Sequence, residues 1–377
     1  MSTRAAEDPR LAAAGRRAAV GGLVVAGRSG PGSSSAAYRR LSRRRKVILA
    51  GLGVVLIASI VLDVALGPSG LGLGVVARAL VDPGSVTAAQ HTIVWQLRLP
   101  VALMAVLVGA CLAAGGAEMQ TILGNPLAEP FTLGISAAAG FGAATAVVAG
   151  ISVIPIAGVF FIAGDAWVAA MIACLLVVAF SRLRAASAET MVLLGIALVF
   201  LFNALLGFFQ YISSAEATEE IVFWTLGSLG RSTWTTVAVT AAVLALVGPF
   251  LVANSWKLSV LRMGDERAAS MGVNVTRLRL TVLVGVSLLA ATAVAFVGII
   301  GFVGLVGPHI ARMLVGEDHR YFLPASTLIG ATLLSLTAIL SEFLIPGAII
   351  PIGIVTAMIG VPVFLTVVFS RRRQLWG

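Results

Sequence analysis

Residues 98–121 read R-L-P-V-A-L-M-A-V-L-V-G-A-C-L-A-A-G-G-A-E-M-Q-T, and this stretch decides the fold class. It is dominated by Ala, Leu, Val and Gly, and its only acidic side chain is Glu118. A helix that crosses a bilayer needs about 20 predominantly apolar residues, whereas a membrane barrel strand alternates between apolar and polar positions. The stretch therefore predicts a transmembrane helix.

Runs of this kind recur along the whole chain. Of its 377 residues, 59% are hydrophobic and only 11% are charged, whereas soluble domains carry about 25% charged residues. We predict an all-α polytopic membrane protein with ten transmembrane helices. The predicted spans are 47–66, 98–121, 131–150, 156–180, 190–212, 235–254, 279–298, 301–315, 322–345 and 351–369.

The basic residues predict the orientation of these spans. If the N-terminus is cytosolic and ten spans alternate, only Arg78, Arg98 and Arg231 of the 26 Lys and Arg residues fall outside. Cytoplasmic segments of membrane proteins are enriched in these residues, so the net charge of +10 does not require a nucleic-acid partner. We predict a disordered basic cytosolic tail at 1–45 and a membrane domain at 46–377.

The sequence lacks the motifs of an enzyme that would drive transport by itself. It has no G-x-x-x-x-G-K-[ST] phosphate loop and no H-E-x-x-H, and its three histidines are far apart. We therefore predict no catalytic residue, no metal site and no cofactor bound by this chain. Transport would use either ATP hydrolysed by a partner or an ion gradient. The ionisable groups in or near the spans that could couple transport to an ion gradient are Asp63, Glu118, Asp165 and Glu342.

Several helices are predicted to be broken or closely packed. Asn125, Pro126 and Pro130 follow the second span, and glycines at 298, 301, 304 and 307 lead to Pro308. Such residues permit unwound backbone that lines a transport path, but small residues also let helices approach closely. Both readings stay open. The tripeptide L-V-G occurs at 107–109 and again at 283–285, which favours an internal repeat although the match is short.

The longest charged cytosolic segment is 258–278. Asp265 and Glu266 suit the start of a short helix, alanines continue it, and Gly272 suits its end. A short helix at this position fits a groove of another protein, although a solvated loop is equally compatible with the residues.

From about residue 94 onward, an ordered set of motifs resembles the permease family of bacterial binding-protein-dependent ABC importers for ferric siderophores, haem and cobalamin. The set comprises R-L-P at 98–100, N-P-L-A-E-P at 125–130, L-G-I-S at 133–136, W-T-L-G-S-L-G at 224–230, G-D-E-R-A-A-S-M-G at 264–272, G-F-V-G-L-V-G-P-H-I-A-R at 301–312, D-H-R at 318–320 and P-I-G-I-V-T-A at 351–357. The chain departs from the family pattern at Val101, where a second arginine is common, and at Ile349-Ile350-Pro351.

The resemblance implies a machine of several chains in a bacterial plasma membrane. It implies two cytosolic ATPase subunits that hold ATP and magnesium, a second permease copy or homologue, and an extracytoplasmic binding protein. A ferric siderophore is the expected cargo, with haem or cobalamin as alternatives and a stand-alone gradient-driven carrier as a further one.

The resemblance also assigns residues to roles. The residues expected to couple the chain to the ATPase are Gly264, Asp265, Glu266, Ala268, Ala269 and Gly272. Arg98 is expected to dock the binding protein. The residues expected at the translocation path or its gate are Glu118, Gln120, Asn125, Pro126, Gly304 and Pro308. Glu118 is expected to face the path between two permeases rather than lipid.

Overall fold

The computed structural model describes residues 31–67, 71–150, 160–183, 187–345 and 348–375. Within these ranges the chain is helical, apart from turns and one isolated antiparallel bridge between Ile345 and Ala348. The prediction of an all-α fold is confirmed. The chain divides into the compact units Met1–Arg44 and Arg45–Gly377, and every site described below lies in the second unit.

The described α-helices are numbered here in chain order. They are α1 (Pro31–Leu66), α2 (Leu73–Val81), α3 (Ala88–Thr92), α4 (Leu99–Ile122), α5 (Ile135–Ala149), α6 (Phe160–Leu183), α7 (Ala188–Ile212), α8 (Ala215–Thr225), α9 (Trp234–Ala253), α10 (Ser255–Leu261), α11 (Asp265–Ser270), α12 (Val275–Val297), α13 (Val303–Val315), α14 (His319–Phe343) and α15 (Ile352–Leu375). Two 3-10 turns, Pro83–Ser85 and Pro130–Leu133, and a π-helical stretch, Ile93–Arg98, complete the list.

Seven helical segments of the described residues are long and apolar enough to cross a membrane. Three shorter apolar helices, Ile135–Ala149, Val303–Val315 and Ile352–Thr366, coincide with the remaining predicted spans. Helix α13 has 13 residues, so it is about 20 Å long, which is less than the roughly 30 Å of a bilayer core. The count of ten crossings and the cytosolic N-terminus therefore stay predictions.

Two predicted boundaries were wrong. Residues 31–45 were predicted to be disordered, but they belong to helix α1; the rest of the predicted tail lies outside the described residues. The second span was predicted to begin at 98, but its helical run begins at Ala88. The Thr87 side chain accepts from the Gln90 backbone, while Gln90 closes a capping box, so a polar helix start precedes the apolar run.

Helices α4 and α12 lie at the centre of the bundle, since they are the most enclosed of the seven long segments. Helix α4 packs against α12, α13 and α14. Small residues permit this approach: a Cβ on Gly330 would lie 2.5 Å from the Gly109 carbonyl oxygen, and one on Gly116 would overlap the Gly304 backbone. Gly304 thus serves helix packing, one of the two readings of the glycine series.

Candidate functional site

The segment between α9 and α12 comes together with the ends of two core helices. The backbone N–H of His319, the first residue of α14, lies 3.4 Å from the Ser259 hydroxyl in α10. Arg279 in α12 contacts the carbonyl of Ile122, the last residue of α4. We call this the coupling end, after the role that the family resemblance predicts for residues 264–272. Helix α14 runs away from it for 25 residues, about 37 Å, to the opposite end, which we call the outer end, after the orientation predicted from the basic residues.

Helix α11 (Asp265–Ser270) is the short helix, one of the two alternatives that the sequence left open for this segment. Gly264 precedes it with φ 104° and ψ 155°, a region open essentially to glycine alone. Gly272 follows it with φ 83°, the left-handed conformation expected after a helix end. Ala268 is buried, whereas Glu266 and Ala269 are exposed. The helix therefore presents one face to the bundle and the other to the outside of the chain.

Gly264→Ala is expected to displace α11 through the backbone alone, because a Cβ at this position meets no atom within 4 Å. The strain should cost about 1–3 kcal/mol. The matched control is Gly51→Ala, an exposed helical position that is equally free of neighbours. In the assembled complex, the amount of cargo transported per ATP hydrolysed should fall in Gly264→Ala and stay unchanged in Gly51→Ala. Equal coupling in both variants would show that the conformation at Gly264 is dispensable.

Two further predicted residues lie in the turn after α4, next to the coupling end, and a third lies within helix α13. Asn125 and Pro126 follow α4 in a turn, where the Asn125 side chain accepts from the Leu127 backbone N–H at 2.9 Å. Pro126 is exposed and Asn125 is half-buried. Pro308 is buried within α13. The turn is therefore accessible to a path or a partner, whereas Pro308 is enclosed.

Glu118 lies in the interior of the chain. Its Oε2 is 3.2 Å from Nε2 of His319, and both side chains are fully buried. Thr121 lies 3.4 Å from the same ring nitrogen. Glu118 does not face lipid, as expected, but it does not reach a path surface of the chain either. The sequence reasoning missed its partner because 201 positions separate the two residues.

A second, partly buried contact holds the same turn of α4. Gln120 accepts a hydrogen bond from Arg312 at 2.8 Å. Arg312 and Arg262 both pair with Glu317, and both guanidinium groups lie over the ring of Phe322 at 5.4 and 5.6 Å. The predicted path residue Gln120 is thus part of a network that joins α4, α10, α13 and α14.

Arg98 lies at the outer end, half-buried between helices. Its Nη1 donates to the Val64 carbonyl at 2.8 Å, and Asp63 and Glu342 are within electrostatic reach. A Cβ on Gly67 would lie 2.7 Å from the guanidinium carbon. The structure therefore gives Arg98 contacts inside the chain, next to the C-terminal end of α1.

Arg98→Gln is expected to lower the free energy of unfolding by about 1–2 kcal/mol, because a charged donor to a helix-end carbonyl is lost. Arg78→Gln is the control, since Arg78 is exposed on α2 and surface changes of this kind stay within about 0.5 kcal/mol. Thermal unfolding of the purified protein measures both. A purely external docking role for Arg98 predicts unchanged stability in both variants.

The outer end contains an open cavity of about 440 Å³. Phe223 and Trp224 line it together with Glu220, Arg231 and Glu342. Burial lowers the pKa of the Arg231 guanidinium, and the nearby Glu220 carboxylate acts in the opposite direction. The cavity therefore combines aromatic surface with charges of both signs.

The loop behind the cavity is fixed by backbone hydrogen bonds. Ser228 N–H donates to the Val297 carbonyl at 2.7 Å, and the N–H groups of Ile352 and Gly353 donate to Gly227 and Leu226. The W-T-L-G-S-L-G motif thus joins the end of α12 to the start of α15.

These features define an integral membrane permease whose helices surround a tightly packed core. The profile of the FecCD transport family matches residues 55–370, and the chain belongs to this family. It is a multi-pass protein of the inner membrane and the permease of a binding-protein-dependent ABC importer.

Individual relatives are similar over nearly their whole length. Hemin transport system permease protein HmuU of Yersinia pestis is 34% identical over 328 residues, which cover 86% of this chain and 97% of the relative. The Fe(3+)-citrate import system permease protein YfmE of Bacillus subtilis is 34% identical over 336 residues, covering 89% and 98%. Other relatives are named for vitamin B12 and molybdate import.

A solved structure shares the fold. It is described as an inward-facing conformation of a metal-chelate-type ABC transporter, with a TM-score of 0.77 and 33% sequence identity. The match covers 86% of this chain and 99% of that chain.

Proposed function

We propose that this permease carries a ferric siderophore into the cell, driven by ATP that two partner subunits hydrolyse. The observation that carries the proposal is the arrangement along the bundle: an exposed short helix, α11, lies at one end, and an open aromatic cavity lies at the other end of the 25-residue helix α14. Permeases of this family need a contact for an ATPase on one side of the membrane and an entrance for cargo on the other.

The surface around α11 supports an ATPase contact. Met263 and Met271, which flank the helix, are 54% and 48% exposed, and Glu266 and Arg267 are exposed between them. Flexible methionine side chains are common at docking surfaces. We assign the ATPase contact to Gly264 through Gly272, with one ATPase subunit on each of two permease copies or homologues.

The outer end supports docking of a binding protein. Glu216, Glu219 and Glu220 are exposed on α8. Hydrogen bonds from its own backbone and from Ser214 lower the pKa of Glu216, so this carboxylate stays ionised at neutral pH. Because Arg98 is engaged inside the chain, we assign the docking charges to α8 and to basic groups of the binding protein.

The cargo assignment rests on the chemistry of the cavity and on the relatives. A chelator already occupies the coordination sites of its iron, so a permease reads the outer shape of the complex. Phe223 and Trp224 supply apolar surface for this, and Arg231 supplies a positive charge for anionic groups. The relative named for Fe(3+)-citrate import favours a ferric chelate. The relatives named for hemin and vitamin B12 make haem and cobalamin the competing candidates.

Uptake of radiolabelled iron tests the cargo. Cells that contain the permease, its ATPase and its binding protein receive iron as a ferric siderophore, with or without excess unlabelled haem or cobalamin. The expected result is ATPase-dependent uptake that neither competitor reduces. If the cells do not take up the siderophore but take up haem or cobalamin in an ATPase-dependent way, the cargo assignment is wrong. The assignment as a permease would still hold.

A further inference from the structure

One arginine joins the coupling helix to a core helix. The Nη1 and Nη2 atoms of Arg279 donate to the two carboxylate oxygens of Asp265, each at 2.8 Å, and Nε donates to the carbonyl of Ile122 at 2.7 Å. Asp265 is the first residue of α11, Ile122 is the last residue of α4, and Arg279 belongs to α12. A single side chain therefore fixes three helices to one another.

The geometry of this contact is that of a rigid connection. A planar guanidinium that meets a carboxylate with two parallel hydrogen bonds fixes both distance and orientation. The last carbonyls of a helix lack partners within the helix and carry the negative end of its dipole, so the third donor satisfies Ile122. Arg279 is 7% exposed, so its guanidinium is shielded from water, whereas the Asp265 side chain is 54% exposed. A lysine has no planar fork and could not reproduce the three contacts.

The Arg279 contact lies where a displacement of α11 would act on the end of α4. The chain passes from Ile122 directly into the turn that holds Asn125 and Pro126. The next turn of α4 back from Ile122 is held by a different set of contacts, because Gln120 is bound by Arg312 and Glu118 by His319. A displacement of α11 that passes through Arg279 would therefore act on the last residue of α4 and on the turn after it.

We propose that Arg279 is a positioning residue that makes α11 and the end of α4 move as one body, so that movement of the ATPase reaches the Asn125–Pro126 turn. The inference rests on the proposed docking of α11 on the ATPase. The link itself is a property of the permease, so it can be measured apart from the docking.

The test uses full-length permease in lipid nanodiscs with spin labels at Ser270, at the end of α11, and at Leu127, in the turn. Both positions are exposed and the native Cys111 and Cys174 are buried. In the permease alone, the wild-type distance between the labels should be single and narrow. Asp265→Asn should broaden it and add a second population. Asp265→Glu, which keeps the carboxylate, should restore the narrow distance.

A matched control is Thr281→Ala, since Thr281 is exposed on α12 and its hydroxyl bonds only to its own helix in the described contacts. It should resemble wild type. Equal widths for wild type and Asp265→Asn would overturn the link.

A second experiment, with the ATPase bound, tests whether movement of α11 reaches the turn. It measures two distances in separate samples, from Ser270 and from Leu127 to a reference label at Tyr211, an exposed residue of α7. On addition of ATP and vanadate, both wild-type distances should shift together by about 1–2 Å, as helices do at moving interfaces. In Asp265→Asn only the Ser270 distance should shift. A full Leu127 shift in that variant would overturn the proposal. If no wild-type distance responds to the ATPase, the docking fails, while the width measurement still decides whether the link exists.

Discussion

Gly116→Ala is expected to prevent the permease from reaching a folded, monodisperse state. Gly116 faces Gly304 where α4 and α13 cross, and a Cβ there would overlap the Gly304 carbonyl. The obstacle is backbone, which cannot rotate away as a side chain can, so the helices must separate. Overpacking of a core costs about 1–3 kcal/mol, and we expect a loss at or above the upper limit because the contact lies between two core helices.

The control for this prediction is Gly140→Ala on α5. Gly140 is also buried, but a Cβ there would meet only side-chain atoms, at 3.5 Å or more. Size-exclusion profiles of the detergent-extracted proteins and their unfolding temperatures provide the measurement. Normal folding and stability of Gly116→Ala would contradict the close crossing of α4 and α13.

His319→Leu is the second change with a large expected effect. It leaves Glu118 buried without the nitrogen that lies 3.2 Å from its carboxyl group. An unsatisfied buried polar group costs about 1–3 kcal/mol, and more when the group is charged. We therefore expect a loss of about 3 kcal/mol, measured as reduced thermal stability and reduced yield of folded protein.

The double variant Glu118→Leu/His319→Leu separates a structural role from a transport role. Replacing a whole buried polar pair by apolar residues is often neutral, so the double variant should recover most of the stability lost in His319→Leu. If the pair only fixes α14 against α4, transport should recover as well. Recovered stability without transport would instead give Glu118 a direct part in translocation.

The sequence predicted those features that depend on neighbouring residues. The apolar run at 98–121 identified helix α4, and D-E-R-A-A in front of Gly272 identified helix α11 with its left-handed end. The polar start of the second helical run was missed, although Thr87 and Gln90 have capping-box spacing, because apolar content alone was used to place the span.

The contacts that organise the coupling end could not be predicted from local patterns. Arg279 looks like one of several basic residues near a membrane boundary, and only the path of the chain between α11 and α12 brings it to Asp265. His319 and Glu118 meet because α14 packs along α4. Arg98 was assigned to docking from the family resemblance, whereas its internal contacts depend on where α1 ends.

The most direct test of the central claim is transport by the purified complex in sealed liposomes. The permease, its ATPase and the cargo-loaded binding protein are reconstituted, and uptake of a labelled ferric siderophore is followed with ATP, without ATP, and with an imposed proton gradient alone. We predict uptake that requires ATP and both partners and is unaffected by an uncoupler. Uptake driven by the proton gradient in the absence of the ATPase would contradict the account.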